Sequence, residues 1–230
     1  MNRSILSRAI IPAAMLALLV LLASRLVVGT AAHEWLGVAF FVLVVVHNIG
    51  HRKWWTSLAR RRFSARTGAV TTSIIVLAAL LVVLLSTIGP LATVLPLAVP
   101  SFWSTWQARS FHAGLACWIF VLCLIHAGIF WGPRLVSRWH RATDSVRLTT
   151  GVAYVLVLAV GIYDFAIMGF FSHLLFSYGF SGLEVDGPLP VGIAEVLAAG
   201  LPFFSIGALI GMTRASSRAR STYRTSKARS

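Results

Sequence analysis

In a chain of 230 residues with only 11% charged side chains, seven histidines are the groups best equipped for chemistry. They are His33, His47, His51, His112, His126, His140 and His173. An imidazole can bind a metal through either ring nitrogen, hydrogen-bond, or exchange a proton near neutral pH. Four of the seven form two pairs of equal spacing: His33 and His47 are fourteen residues apart, and so are His112 and His126. Fourteen residues make about 3.9 helical turns, so each pair shares one helix face with ~21 Å of rise between its members. Ligands that far apart cannot meet at one centre. They suit two centres, one toward each end of a helix.

The elements that must carry these residues are membrane helices. Apolar residues make up 58% of the chain, well beyond the ordinary share for a soluble domain. A hydrocarbon layer of ~30 Å needs about 20 apolar residues per helix. Six stretches meet that, at about Ala9–Gly29, Ala32–Gly50, Gly68–Gly89, Ser110–Trp131, Thr149–Ser172 and Val191–Met212. Helix-ending residues separate them, in Gly29, Gly89-Pro90, Pro100, Gly132-Pro133 and Gly187-Pro188. The expected fold is all-α, a polytopic bundle of about six transmembrane helices over residues 1–213, followed by a basic cytoplasmic tail, 214–230. The first stretch has a second reading as a cleavable signal peptide, from Arg3, Arg8 and the small residues Gly29-Thr30-Ala31-Ala32. Its apolar run is long for a signal and Arg25 falls late in it, so retention is the expectation. Such a chain leaves no room for a soluble catalytic domain.

Basic residues orient the bundle. With the N-terminus cytoplasmic, 18 of the 20 Lys and Arg fall on the inside, and only Arg25 and Arg109 fall outside. That asymmetry is the one the positive-inside rule describes. Both termini are expected to be cytoplasmic. The second and fourth stretches then run the same way through the bilayer. His33 and His112 share an outer level, and His47 and His126 share an inner one. Each level offers two imidazoles able to hold one iron from opposite sides, so the four are expected to bind two haems. Zinc fits poorly, because ligands for one small ion must converge within a few ångströms.

Other residues take quieter readings. His51 lies one turn beyond His47 and competes with it as the inner ligand. His140 should sit in a loop, since Gly132-Pro133 ends the helix before it, and His173 should be interfacial at the outer end of the fifth stretch. Cys117 and Cys123 are ~9 Å apart along one helix, too far for a disulfide, and read as packing residues. Trp54, Trp55, Trp103, Trp106, Trp131 and Trp139 fall near helix ends as membrane anchors. Gly114 and Gly128 each follow a histidine by two residues. They either let a flat macrocycle approach the backbone or pack helices together. The net charge of +14 reflects basic loops on an anionic leaflet, not nucleic-acid binding.

The run His33-Glu34-Trp35-Leu36-Gly37, continuing to His47 and Trp54, resembles the signature of the bacterial flavinylation-associated cytochromes. Phe111-His112-Ala113-Gly114 and Ile125-His126-Ala127-Gly128 fit the same pattern. The resemblance spans roughly residues 30–140. It implies a dihaem b-type cytochrome of the bacterial inner membrane, ligated by His33, His47, His112 and His126. It also implies a flavin-bearing extracytoplasmic redox partner, with this chain as the electron-transfer subunit of a membrane oxidoreductase.

Iron held by two histidines has no open position, so it exchanges electrons and does not bind substrate. Two such centres make a path across the bilayer. Asp164 and Glu195 lie in the outer halves of their helices, where an acid is costly unless paired or wetted. They read either as a quinol site releasing protons outward or as a structural pair with a cation such as Arg109, the second being favoured. From a different class, a haem-free transporter could use the same acids and histidines as a proton or ion path. Arg109, three residues before His112, can also pair with a haem propionate. Replacing it with Gln is predicted to lower the outer haem's midpoint potential and leave the inner one nearly unchanged. A redox titration with neither haem shifted reduces Arg109 to a headgroup anchor.

Overall fold

The computed structural model describes residues 9–53, 105–177 and 187–227, with the side chains of 105–109 and 214–227 outside the description. All regular structure among these residues is helical: α1 (Ile11–Ala23), α2 (Arg25–Val28), α3 (Thr30–Gly50), α4 (Thr105–Trp139), α5 (Asp144–Ile167), α6 (Phe170–Leu174) and α7 (Leu189–Lys227). Four of them are long and apolar enough to cross a membrane, namely α3, α4, α5 and α7. The chain is an all-α membrane helix bundle. The expected third span, 68–89, lies outside the described residues.

The first expected span is broken by its own side chains. Pro12 sits in the first turn of α1, where its missing N–H costs nothing. Twelve residues later the Ser24 hydroxyl donates to the Val20 carbonyl at 2.9 Å and is fully buried. A serine bonded back to the preceding turn competes with the helix ladder and bends it. α2 follows as one turn, and Gly29 (φ 84°, ψ 161°) takes a conformation that L side chains rarely adopt. That reversal lays α3 against α1 as a hairpin.

α4 departs from expectation by running straight through Gly132-Pro133 to Trp139, a length of 35 residues. Pro133 cannot donate to the Ile129 carbonyl. That carbonyl faces Gly211 of α7, where a Cβ would come within 2.5 Å of it. With no side chain at 211, the two backbones approach closely and the unbonded carbonyl is covered by protein, a known route by which membrane helices tolerate proline. His140 stands, exposed, in the turn directly after α4, outside the helix as expected. At the same end the Trp139 indole N–H donates to Thr150 Oγ1 at 2.9 Å, with the Arg147 guanidinium 6.0 Å from the ring centre. This joins α4 to the start of α5.

α5 ends at Ile167, with Met168 as its C-cap, and Gly169 turns left-handed (φ 72°) into the short α6. The expected fifth span thus stops short of Ser172. His173 is buried within the protein at 3% exposure, and its Nδ1–H donates to the Gly169 carbonyl at 2.8 Å. The Trp118 indole N–H donates to the Leu174 carbonyl at 3.0 Å and ties α6 to α4.

Gly128 fits the packing reading. A Cβ there would meet Ala208 N of α7 at 2.8 Å, and Gly161 of α5 lies equally close to the backbone of Ala198. Gly114 is likewise covered, by the Phe176 ring and the His173 carbonyl. Neither glycine is left open to a macrocycle. The core lies in the middle of the bundle, with Leu19 and Val20 of α1, Phe40 and Val44 of α3, Phe120 and Leu124 of α4, Phe170 of α6 and Val196 of α7. Cys117 joins it as a free, buried thiol. Outside the core, α3 and α5 present apolar surfaces such as Phe41, Val45, Val155 and Ile162, as lipid-facing helices do. The backbone of α7 continues past residue 213 as helix to Lys227, so the basic tail starts as its extension.

Gly128→Leu is predicted to force α4 from α7 and cost about 1–3 kcal/mol through overpacking. Gly151→Ala, whose new methyl would meet Trp139 at an ordinary 3.7 Å, is predicted to leave stability unchanged. Thermal unfolding of both variants in one detergent, followed by far-ultraviolet circular dichroism, compares them.

Candidate functional site

α3 and α4 bring the sequence-selected histidines together at two levels. At the first, the rings of His33 and His112 face each other with centroids 6.1 Å apart and planes at 79°. At the second, His126 is near enough to act electrostatically on His47, and His51 on both. The N-terminal histidine of each pair meets the N-terminal histidine of the other. α3 and α4 therefore run parallel, and the shared helical face lines up both levels.

An iron bonded to one nitrogen of each of two facing imidazoles holds the ring centres ~6 Å apart, because each metal–nitrogen bond is about 2 Å long. His33 and His112 match that separation. His33, His47 and His112 each carry a buried Nδ1 with no hydrogen-bond partner among the described residues. Leaving a buried polar nitrogen unbonded costs roughly 1–3 kcal/mol, so three such atoms at two facing levels suit a site built for a further group. The Leu22 backbone also approaches the His33 ring from the hairpin.

Among the described residues no three His, Cys, Asp or Glu side chains converge as ligands of a small ion would. A haem iron needs only two from the protein. α3 packs chiefly on α1, and α4 chiefly on α7. These pairings let α3 and α4 face each other through their histidines.

The second level holds an ambiguity that the sequence also presents. His51 stacks on His47 with ring centroids 4.4 Å apart and planes at 24°. Its Nδ1–H donates to the His47 carbonyl at 2.9 Å, which directs its Nε2 away from the helix. A backbone carbonyl fixing one ring nitrogen is the usual support of a metal-binding histidine. His47 has the buried, unbonded Nδ1 instead. His126 has the Phe130 ring beside it, 4.9 Å between centroids.

Three further side chains bear on the first level. The Arg25 guanidinium, at the α1–α3 reversal, is close enough to act electrostatically on both His33 and His112. Phe176 packs its ring on Phe111 at 5.6 Å, and holds a positive φ of 54°. A bulky residue there is strained, and the contacts with Phe111 and Gly114 hold it over the residues flanking His112. Spacing arguments could not reveal Phe176 or the burial of His173. Arg25 did carry a signal, as one of two basic residues, with Arg109, that the charge pattern leaves on the expected outer side.

Of the remaining candidates, Arg109 is placed by its backbone on α4, but its side chain lies outside the described residues. Asp164 of α5 is buried at 6% exposure, and its Oδ2 has no hydrogen-bond partner among the described residues. Glu195 of α7 is half-buried. No protein-family model, curated protein or solved structure matches the chain.

At the second level, if a haem binds there, His47→Ala is predicted to remove it while His51→Ala retains it. Difference spectra of the two purified variants decide the point, and the reverse result assigns the ligand to His51.

Proposed function

We propose that the chain binds two b-type haems, one between His33 and His112 and one between His47 and His126, and conducts electrons across the bilayer. The facing of His33 and His112 at 6.1 Å carries this reading. When bound, such haems supply one-electron exchange at an iron with no open coordination position. The four histidines set where the exchange occurs and keep substrate and oxygen from the metal. Phe40 and Val44 on α3, with Phe120 and Leu124 on α4, fill the layer between the levels and keep it dry. The only two cysteines, Cys117 and Cys123, do not form a Cys-x-x-Cys-His attachment motif, so the groups are held without covalent bonds.

The basic loops favour a bacterial inner-membrane protein with both termini cytoplasmic and the His33–His112 level outermost. The resemblance to the flavinylation-associated cytochromes supports a flavin-bearing extracytoplasmic protein as redox partner. Quinone is a second candidate partner, with Asp164 as the group able to take a proton. The buried, unbonded Oδ2 of Asp164 also favours a different reading, a haem-free proton or ion pathway. A visible spectrum of purified protein separates the two.

Purified protein is predicted to give two haems per chain in a pyridine haemochrome assay. His112→Ala should lose one spectral component and His126→Ala the other. One haem or none, or loss of the same component from both variants, contradicts the proposal.

A further inference from the structure

Asp164 is an acid inside a membrane helix that neither the packing nor the two histidine levels use. It and Gly161 are the buried residues of α5. Its Oδ2 has no hydrogen-bond partner, and its carboxylate no ion pair, among the described residues. Asp144, at the start of the same helix, is exposed and pairs with Arg147 at 3.3 Å. An ionised carboxylate buried without such a partner is costly, so the site calls for a counter-charge or a proton.

Its place follows from the register of α5 on α7. The Tyr154 hydroxyl is hydrogen-bonded to Ser205 Oγ, and a Cβ on Gly161 would collide with the Ala198 carbonyl. These contacts are seven residues apart on each helix, in opposite directions, so α5 and α7 run antiparallel. Asp164 is three residues beyond Gly161, and Glu195 is three before Ala198. The two acids therefore share one depth on the α5–α7 seam. Pro202 has no N–H for the Ala198 carbonyl, so this stretch of seam adds an acceptor and no donor.

The depth is that of the first histidine level. A Cβ on Gly207 would collide with the Ile125 carbonyl, and one on Gly211 would meet the Ile129 carbonyl. Both contacts advance by four residues in each helix, so α4 and α7 run parallel. Glu195 is twelve residues before Gly207, as Ala113 is twelve before Ile125. The acids thus stand level with Ala113, next to His112. α5 packs on α7 and α6. At this depth those elements bring Glu195, half-buried, and His173, whose Nδ1–H is bonded to the Gly169 carbonyl, while Tyr163 beside Asp164 is exposed.

Resting on the two-haem reading, we propose that Asp164 is a proton-binding site coupled to the His33–His112 haem, with Glu195 relaying the proton to water. A ferric centre carries one positive charge more than a ferrous one, and so favours an ionised carboxylate at its own depth. When one electron reduces the iron that charge is lost, and one proton from water binds the Asp164 carboxylate.

The experiment follows haem potential against pH for purified protein in nanodiscs, with haem content determined in parallel. In the His126→Ala background, which leaves the His33–His112 haem alone, reduction should weaken as pH rises. The limit is about tenfold per pH unit, or about 59 mV for a one-electron couple. Asp164→Asn should flatten this response, and Asp164→Glu should keep it. In the His112→Ala background, Asp164→Asn should leave the remaining haem's response unchanged. An equal pH response in Asp164→Asn overturns the inference and assigns the proton to a haem propionate, and a flat response before substitution overturns it too. If Asp164→Asn loses its haem, labelling of the protein with native Asp164 decides. Dicyclohexylcarbodiimide adds to protonated carboxyls in a bilayer, so peptide mass spectrometry should find more adduct on Asp164 in reduced than in oxidised protein. Equal labelling or none overturns the inference. Parent protein without any haem overturns the haem reading itself.

Discussion

A hydrocarbon layer contains no water to satisfy polar atoms, and this fold depends on how each one is met from within. The Ser24 hydroxyl, deep in the first hairpin, is bonded to the Val20 carbonyl. The Ile129 carbonyl, deprived of its donor by Pro133, is covered by Gly211. His173, buried against the core, is bonded to the Gly169 carbonyl. Against that background, the Nδ1 atoms of His33, His47 and His112 stand out because they have no hydrogen-bond partner among the described residues. Ser110 Oγ and Asp164 Oδ2 are the other buried side-chain atoms without a partner among the described residues.

The packing follows from the same need. Close contacts at Gly128, Gly132, Gly207 and Gly211 bind α4 to α7 as a rigid pair, and Gly161 joins α5 to α7. On the other side the α1–α3 hairpin forms a second unit. Phe120 and Phe170, stacked at 5.5 Å, fill the middle with Phe165. The two units share one core, in which Leu19, Val20, Phe40 and Val44 pack with Phe120, Leu124 and Val196.

Much of this arrangement is legible in the sequence. Two fourteen-residue spacings place each histidine pair on one helix face, and basic loops imply that both helices run in the same direction. Together these match His33 with His112 without any knowledge of packing. The failures share one cause, since each depended on a partner remote in sequence. Pro133 predicts a helix end, but Gly211, far along the chain, lets the helix continue. Gly114 and Gly128 suit a macrocycle or a neighbouring helix equally well until Phe176 and Ala208 are seen against them. Gly169 breaks the fifth span and turns His173 inward, although nothing local distinguishes it from the tolerated glycines at 151 and 161. Arg25 is visible as a lone basic residue, but its approach to the histidines depends on the reversal at Gly29.

The central claim is that two histidines clamp each of two irons. The ring planes of His33 and His112, at 79° to each other, give it a specific spectroscopic consequence. Were His33 and His112 to hold a haem iron with their planes in this relation, its low-spin ferric signal would be strongly anisotropic. Low-temperature electron paramagnetic resonance of the oxidised, purified protein measures this directly. The account predicts two low-spin signals, with the strongly anisotropic one lost in His33→Ala. High-spin iron as the main species, or a preparation without a haem signal, would contradict it.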